Sequence, residues 1–160
     1  MWTGDAEMIT QEEKREIEEE IKKALTKKAA VIDVLKVVQR HRGWVPDEAL
    51  EEASGLLGMT PAEVDSIATF FSLIFRSPVG KHVILVCDSV SCWLVGYEDV
   101  KRHLMERLGI SLGETTKDGK FTLLPSACLG VCEEAPAMMI DDDLYTKLTP
   151  TLVDEILRKY

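Results

Sequence analysis

The stretch His82-Val83-Ile84-Leu85-Val86-Cys87-Asp88-Ser89-Val90-Ser91-Cys92 marks the point where the chain changes character. His82 to Val86 is a short, nearly continuous apolar run rich in β-branched residues, the signature of a buried strand. It ends at Cys87, and Cys92 follows after a gap of four residues. The chain has four cysteines in all, and the other two stand in Pro125-Ser126-Ala127-Cys128-Leu129-Gly130-Val131-Cys132. A C-x4-C pair and a C-x3-C pair are thus separated by enough chain for a helix and a strand. If folding brings the pairs together, four thiolates meet, a full ligand set for a [2Fe–2S] or zinc centre.

Downstream of the first pair, residues 97–108 read as a helix burying Val100, Leu104 and Leu108 and ending at Gly109. Asp118-Gly119 makes a turn, and Lys120 to Leu124 is a second strand, stopped by Pro125. Ala137 to Asp141 is a third strand, after which Asp142-Asp143 turns into a short extension. Thr149-Pro150 opens a last helix carrying Leu152, Val153, Ile156 and Leu157. The order over residues 78–160 is βαββα. A right-handed crossover sets the first two strands side by side and parallel. Both cysteine pairs then follow the C-terminal ends of neighbouring strands, the edge where sites collect in open α/β sheets.

Upstream, residues 1–77 read as helices. Thr10 and Glu13 form a capping box, and Ile17, Ile21, Ala24 and Leu25 share a face. A second helix over 28–42 carries Val31, Val34, Leu35 and Val38 and stops at Gly43, with Pro46 beyond. A third, 47–57, stops at Gly58. Thr60-Pro61-Ala62-Glu63 opens a fourth, which runs into Phe70-Phe71-Ser72-Leu73-Ile74-Phe75. That aromatic cluster reads as core, with a partner interface as the alternative. The fold class is α+β: a helical bundle followed by a βαββα domain of α/β character.

A hydrophobic fraction of 46% and a charged fraction of 29% are ordinary for a globular protein. The net charge of −9 argues against nucleic acid as a partner. Part of that charge lies in Glu12 to Glu20, a solvated helix face. No apolar run reaches the ~20 residues of a membrane helix. The start, Met1-Trp2-Thr3-Gly4-Asp5-Ala6-Glu7, lacks the pattern of a secretory signal or transit peptide. The expectation is a cytoplasmic protein, where clustered thiols more often hold metal than form disulfides.

A thioredoxin-type dithiol needs C-x-x-C at a helix start, and neither pair has that spacing. Structural zinc usually takes a C-x2-C knuckle on each side; gaps of four and three are wider, which disfavours zinc without removing it. A two-iron cluster suits the wider loops. The preferred arrangement puts Cys87 and Cys92 on one iron and Cys128 and Cys132 on the other, an assignment that spacing alone does not fix. His41, His82 and His103 flank no cysteine, so an all-cysteine centre is expected. Gly130 lets the backbone N–H groups of Leu129-Gly130-Val131 approach the sulfurs. Val90, Trp93 and Leu94 either shield one side or pack in the core. There is no G-x-S-x-G, H-E-x-x-H or glycine-rich phosphate loop, so no catalytic residues are expected beyond the centre itself.

The chain resembles the E-subunit family of bacterial NADH–quinone oxidoreductase (respiratory complex I), the thioredoxin-like [2Fe–2S] ferredoxins, over essentially its whole length. The resemblance rests on His41-Arg42-Gly43-Trp44-Val45-Pro46, Leu57-Gly58-Met59, and Val64-Asp65-Ser66-Ile67-Ala68-Thr69-Phe70-Phe71. It rests further on Cys87-x4-Cys92, on Gly113 to Gly119, and on Cys128-Leu129-Gly130-Val131-Cys132 followed by Ala135-Pro136. Many members have proline before the second cysteine, where this chain has Ser91. The resemblance implies a thioredoxin-like domain over 78–160 holding one [2Fe–2S] cluster on Cys87, Cys92, Cys128 and Cys132. It implies a flavoprotein partner, the F-type subunit that binds NADH and FMN, docked in part by the helices of 1–77. It also implies single-electron transfer from that flavin to a cluster lying off the main route to quinone, in a complex on the cytoplasmic side of the inner membrane. The equivalent subunit of an NAD-linked hydrogenase or formate dehydrogenase shares these motifs. A zinc-stabilised interaction module is the reading from another class.

Overall fold

The computed structural model describes residues 8–160. The expectation drawn from Met1 to Glu7 lies outside them. The chain divides into two compact units, Met1–Pro78 and Val79–Tyr160.

Among the described residues, the first unit contains four α-helices: α1 (Gln11–Lys23), α2 (Val31–Arg42), α3 (Asp47–Leu57) and α4 (Pro61–Phe70). Both capping boxes form, Thr10 with Glu13 and Thr60 with Glu63. Gly43 and Gly58 end α2 and α3 in the left-handed conformation, at φ 80° and 66°. Ile17, Val34, Leu35, Val38, Leu57 and Val64 are in the core of this unit. Glu13 has a second task beside capping. Buried in α1, it receives the Arg42 guanidinium from the end of α2, Nε to Oε1 at 2.6 Å and Nη2 to Oε2 at 2.8 Å. Burial pushes its carboxyl up, but Arg42 and the Thr10 N–H and hydroxyl more than offset this and hold it at about 2.

Three expectations need correction in this unit. The second helix does not start at Lys28: a 3-10 turn, Lys27–Ala30, capped by the Thr26 hydroxyl, precedes α2. Leu25 is not on the buried face but fully exposed, because the extended backbone at Ala24 ends α1 before it. The aromatic cluster is mostly outside the core: Phe70 is 81%, Phe71 44% and Leu73 51% exposed, and Ile74 alone is buried. The helix stops at Phe70, and the backbone beyond is held by side chains from elsewhere. Gln39 donates to the Leu73 carbonyl at 2.9 Å and accepts from Phe75 N–H at 2.7 Å. Arg76 donates to the Val45 carbonyl and to the carboxylates of Asp47 and Asp65. These bonds aim Ile74 inward and leave its neighbours in solvent.

The second unit has a sheet in the order β2-β1-β3-β4. Its strands are β1 (His82–Cys87), β2 (Phe121–Ser126), β3 (Met138–Ile140) and β4 (Asp143–Tyr145). β2 runs parallel to β1, whereas β3 pairs antiparallel with β1 and with β4. The helices are α5 (Val90–Leu94), α6 (Tyr97–Leu108) and α7 (Pro150–Leu157). Ile84, Leu104, Leu123, Met138, Ile140 and Ile156 are buried together in its core. Gly80 is required by close packing: a Cβ there would lie 2.9 Å from the backbone carbon of Phe121.

The second strand does not stop at Pro125 but includes it and Ser126. The bond pattern shows why. His82 N–H donates to the Lys120 carbonyl and Asp88 N–H to the Ser126 carbonyl, so even-numbered residues of β2 face β1. Odd-numbered residues face outward: the Phe121 carbonyl accepts from Thr116 N–H, and Leu123 N–H donates to the Glu114 carbonyl. Pro125 is the next outward position on an edge strand, where a missing N–H breaks no ladder bond.

Candidate metal centre

Cys87 is the last residue of β1, directly opposite Ser126 at the end of β2. Two residues past Ser126 comes Cys128, so the parallel register delivers the second cysteine loop to the first. Cys92 lies in α5, and Cys132 opens a 3-10 turn, Cys132–Glu134. All four thiols are free; Cys87 and Cys92 are buried, and Cys128 and Cys132 are exposed. The site is therefore two unlike pairs, one inside the fold and one at its surface.

Hydrogen-bond donors converge on these sulfurs. Cys87 Sγ lies 3.4 Å from the Ser89 hydroxyl. Burial pushes the Cys87 thiol up, but the Ser89 hydroxyl and N–H, the Cys92 side chain and the Leu129 N–H together bring it below the ordinary thiol value. The Leu129 contact also ties the second cysteine loop to the first. Cys92 moves the other way, raised by burial and by Cys87, although the Ala137 N–H and Ser89 hydroxyl oppose the rise. At the surface, Gly130 N–H donates to Cys128 Sγ at 3.3 Å. Gly130 has φ 79°, a left-handed backbone that turns its N–H back to the sulfur.

These residues fit an iron–sulfur centre. Four cysteine sulfurs supply the ligand chemistry, and N–H and O–H donors aimed at sulfur stabilise the negative charge such a centre carries.

The three histidines stand apart from the cysteines, each beside a carboxylate. His41 Nε2 is 3.0 Å from Glu16, His103 Nε2 is 3.2 Å from Asp154, and His82 Nδ1 is 2.6 Å from Asp141 at the opposite end of β1 from Cys87. Val90, Trp93 and Leu94 do not pack in the core: they are 70%, 57% and 71% exposed beside the cysteines, with Val95 at 55%. A helix as short as α5 has one side against the protein, and Cys92 occupies it. The expected approach of the Leu129 and Gly130 amides to the sulfurs is present, on Cys87 and Cys128 respectively. Sequence reasoning missed the Ser89 hydroxyl, for which a serine two residues past a strand-end cysteine was the available signal, and the Ala137 amide, which belongs to tertiary pairing.

The model of the thioredoxin-like [2Fe–2S] ferredoxin family matches residues 17–160. The E subunit of NADH-quinone oxidoreductase from Pseudomonas aeruginosa is 46% identical over 156 residues, covering 98% of this chain and 94% of the relative. Its counterpart from Escherichia coli (strain K12) is 47% identical over 148 residues, 92% of this chain and 89% of the relative. Among solved structures, a chain of an NAD+-reducing [NiFe]-hydrogenase in the air-oxidized state superposes with a TM-score of 0.68 at 26% identity. That match covers 78% of this chain but 22% of the hydrogenase chain. The chain belongs to the thioredoxin-like [2Fe–2S] ferredoxin family, among the E subunits of NADH-quinone oxidoreductase, and carries that family's single [2Fe–2S] cluster.

Proposed function

We propose that the chain is the electron-carrying E subunit of an NADH-quinone oxidoreductase, and that Cys87, Cys92, Cys128 and Cys132 hold its cluster. The observation carrying this reading is the parallel register of β1 and β2, which sets two cysteine pairs at one sheet end, with the Ser89 hydroxyl against Cys87 Sγ and the Gly130 N–H donating to Cys128 Sγ. When bound, such a cluster accepts and releases a single electron. The protein's part is to hold four thiolates, to orient N–H and O–H groups toward them, and to keep Cys87 and Cys92 from water.

The partner in this reading is the NADH- and FMN-binding flavoprotein subunit, whose reduced flavin supplies electrons one at a time. Two exposed apolar surfaces support a role inside an assembly: Phe70, Phe71 and Leu73 in the helical unit, and Val90, Trp93, Leu94 and Val95 beside the cysteines. The helical unit is assigned to docking and the second unit to the cluster. No helix among the described residues is long and apolar enough to cross a membrane. In this reading the rest of the complex holds the protein on the cytoplasmic side of the inner membrane.

Anaerobically purified protein is expected to be red-brown, with two irons and two sulfides per chain and an EPR signal appearing on dithionite reduction. Colourless protein with stoichiometric zinc and no iron would overturn the reading. The hydrogenase neighbour favours one alternative, the equivalent subunit of an NAD-linked hydrogenase or formate dehydrogenase. The neighbouring genes separate the two: membrane-subunit genes of a quinone oxidoreductase, or genes for a hydrogenase or formate dehydrogenase.

A further inference from the structure

Ser89 occupies the N-cap of α5 with the backbone that a cap requires, φ −63° and ψ 160°, yet its side chain makes no capping hydrogen bond. Serine is favoured at such positions because its oxygen accepts a backbone N–H from the first helical turn. Here the helix closes without it, through Trp93 N–H donating to the Ser89 carbonyl at 2.9 Å. The hydroxyl is turned back onto Cys87 Sγ, 3.4 Å away.

The direction of that bond depends on the state of the sulfur. As a thiol, Cys87 donates its S–H to the hydroxyl oxygen. As a ligating thiolate it has only lone pairs to offer, and the hydroxyl becomes the donor. Cys87 is 3% exposed, so water does not compete for the sulfur.

We propose that the Ser89 hydroxyl donates to the ligating Cys87 sulfur and raises the reduction potential of the bound cluster. This rests on the reading of Cys87 as a ligand. An added electron increases the negative charge on the sulfurs, and a hydrogen bond strengthens as its acceptor gains charge. The bond is thus stronger in the reduced state and favours it, as outer-shell hydrogen bonds do at such centres. The Ser89 and Leu129 amides act on the same sulfur in the same sense, but side-chain substitution cannot remove them. The hydroxyl can be removed alone, which makes Ser89 a positioning residue open to direct test.

The test is a redox titration followed by EPR on the full chain with its cluster, comparing wild type with Ser89→Ala, Ser89→Thr and Ser89→Val. Threonine and valine have nearly the same shape and differ in the hydroxyl. Ser89→Ala and Ser89→Val are expected to lower the reduced-to-oxidised ratio at a fixed potential up to about tenfold, which is about 59 mV for one electron. Ser89→Thr is expected to stay near wild type. The thermal midpoint of Ser89→Ala should stay close to wild type, since no capping bond is lost. ENDOR in deuterated buffer should show, beside the couplings of the amide deuterons, one further exchangeable deuteron in wild type and Ser89→Thr that is missing from Ser89→Ala. A cluster signal at unchanged potential in all three variants overturns the proposal and leaves the cysteine reading standing. Loss of the cluster from both Ser89→Ala and Ser89→Val also overturns it, in favour of a role in cluster assembly. Absence of any cluster signal in wild type overturns both readings.

Discussion

Cys87 and Ser126 face each other at the last paired position of two parallel strands, and this pairing brings the two cysteine loops together. A slip of one residue would carry Cys87 away from the core and move the second loop out of reach of the first. The register is held at its other end by His82 opposite Phe121 and by Gly80, whose N–H donates to the Thr122 hydroxyl at 2.6 Å.

Gly80→Ala is therefore expected to disturb the site from a distance. The added methyl must displace the Phe121 backbone, which lies 2.9 Å from the position it would take. A cost of about 1–3 kcal/mol follows for such overpacking. Urea unfolding should report it as a lower midpoint, with reduced cluster content in the purified protein.

The two cysteine pairs should not respond alike to substitution. Cys87→Ser places a polar hydroxyl in a buried position and is expected to abolish the cluster. Cys128→Ser lies at the surface, where the chain relaxes more freely, and is expected to retain an altered cluster with a shifted EPR spectrum. An unchanged spectrum in either variant would refute the assignment of that ligand.

The helical unit should lose stability in acid through Glu13. Its carboxyl is held at about 2 against an ordinary value of 4.5. A depressed carboxylate stabilises the fold fully above 4.5, and that contribution disappears as pH falls toward 2. The shift corresponds to roughly 3 kcal/mol. Denaturant unfolding by circular dichroism, repeated between neutral and strongly acidic pH, should show this loss in wild type and a flatter profile in Glu13→Gln. Arg42→Met strands the buried carboxylate and should cost about 3–5 kcal/mol at neutral pH.

The exposed apolar residues should be nearly silent in the isolated chain. Phe70→Ser with Leu73→Ser, and separately Trp93→Ser with Leu94→Ser, are expected to change stability by no more than about 0.5 kcal/mol each. Co-purification with the flavoprotein subunit should weaken in both. Retained binding in both double variants would remove these surfaces from the interface.

What could be read from the sequence depended on how local its cause was. The capping boxes at Thr10 and Thr60, the stops at Gly43 and Gly58, and the strand ending at Cys87 are set by neighbours a few residues away. The Phe70 to Phe75 segment was misjudged because its course is set by Gln39 and Arg76, through bonds spanning more than thirty residues in the case of Gln39. Pro125 looked like a strand stop because its outward orientation on an edge strand depends on pairing with β1. The short helix α5 has too few residues for a periodic signal. Its first turn contains Ser91, a position where a proline would also be accommodated. The cysteines are legible from spacing and family resemblance, and the Leu129 and Gly130 amides from the glycine between the second pair, whereas the Ser89 and Ala137 donors belong to the folded state.

The outer margin of β2 has a further consequence. Phe121 and Leu123 use their outward backbone groups on the loop carrying Glu114 and Thr116, and Pro125, the next outward position, has no N–H to offer. Newly synthesised copies waiting for their partner therefore present no continuous row of donors along this strand to one another. That closes strand-on-strand pairing at this edge of the sheet, directly before the loop that carries Cys128.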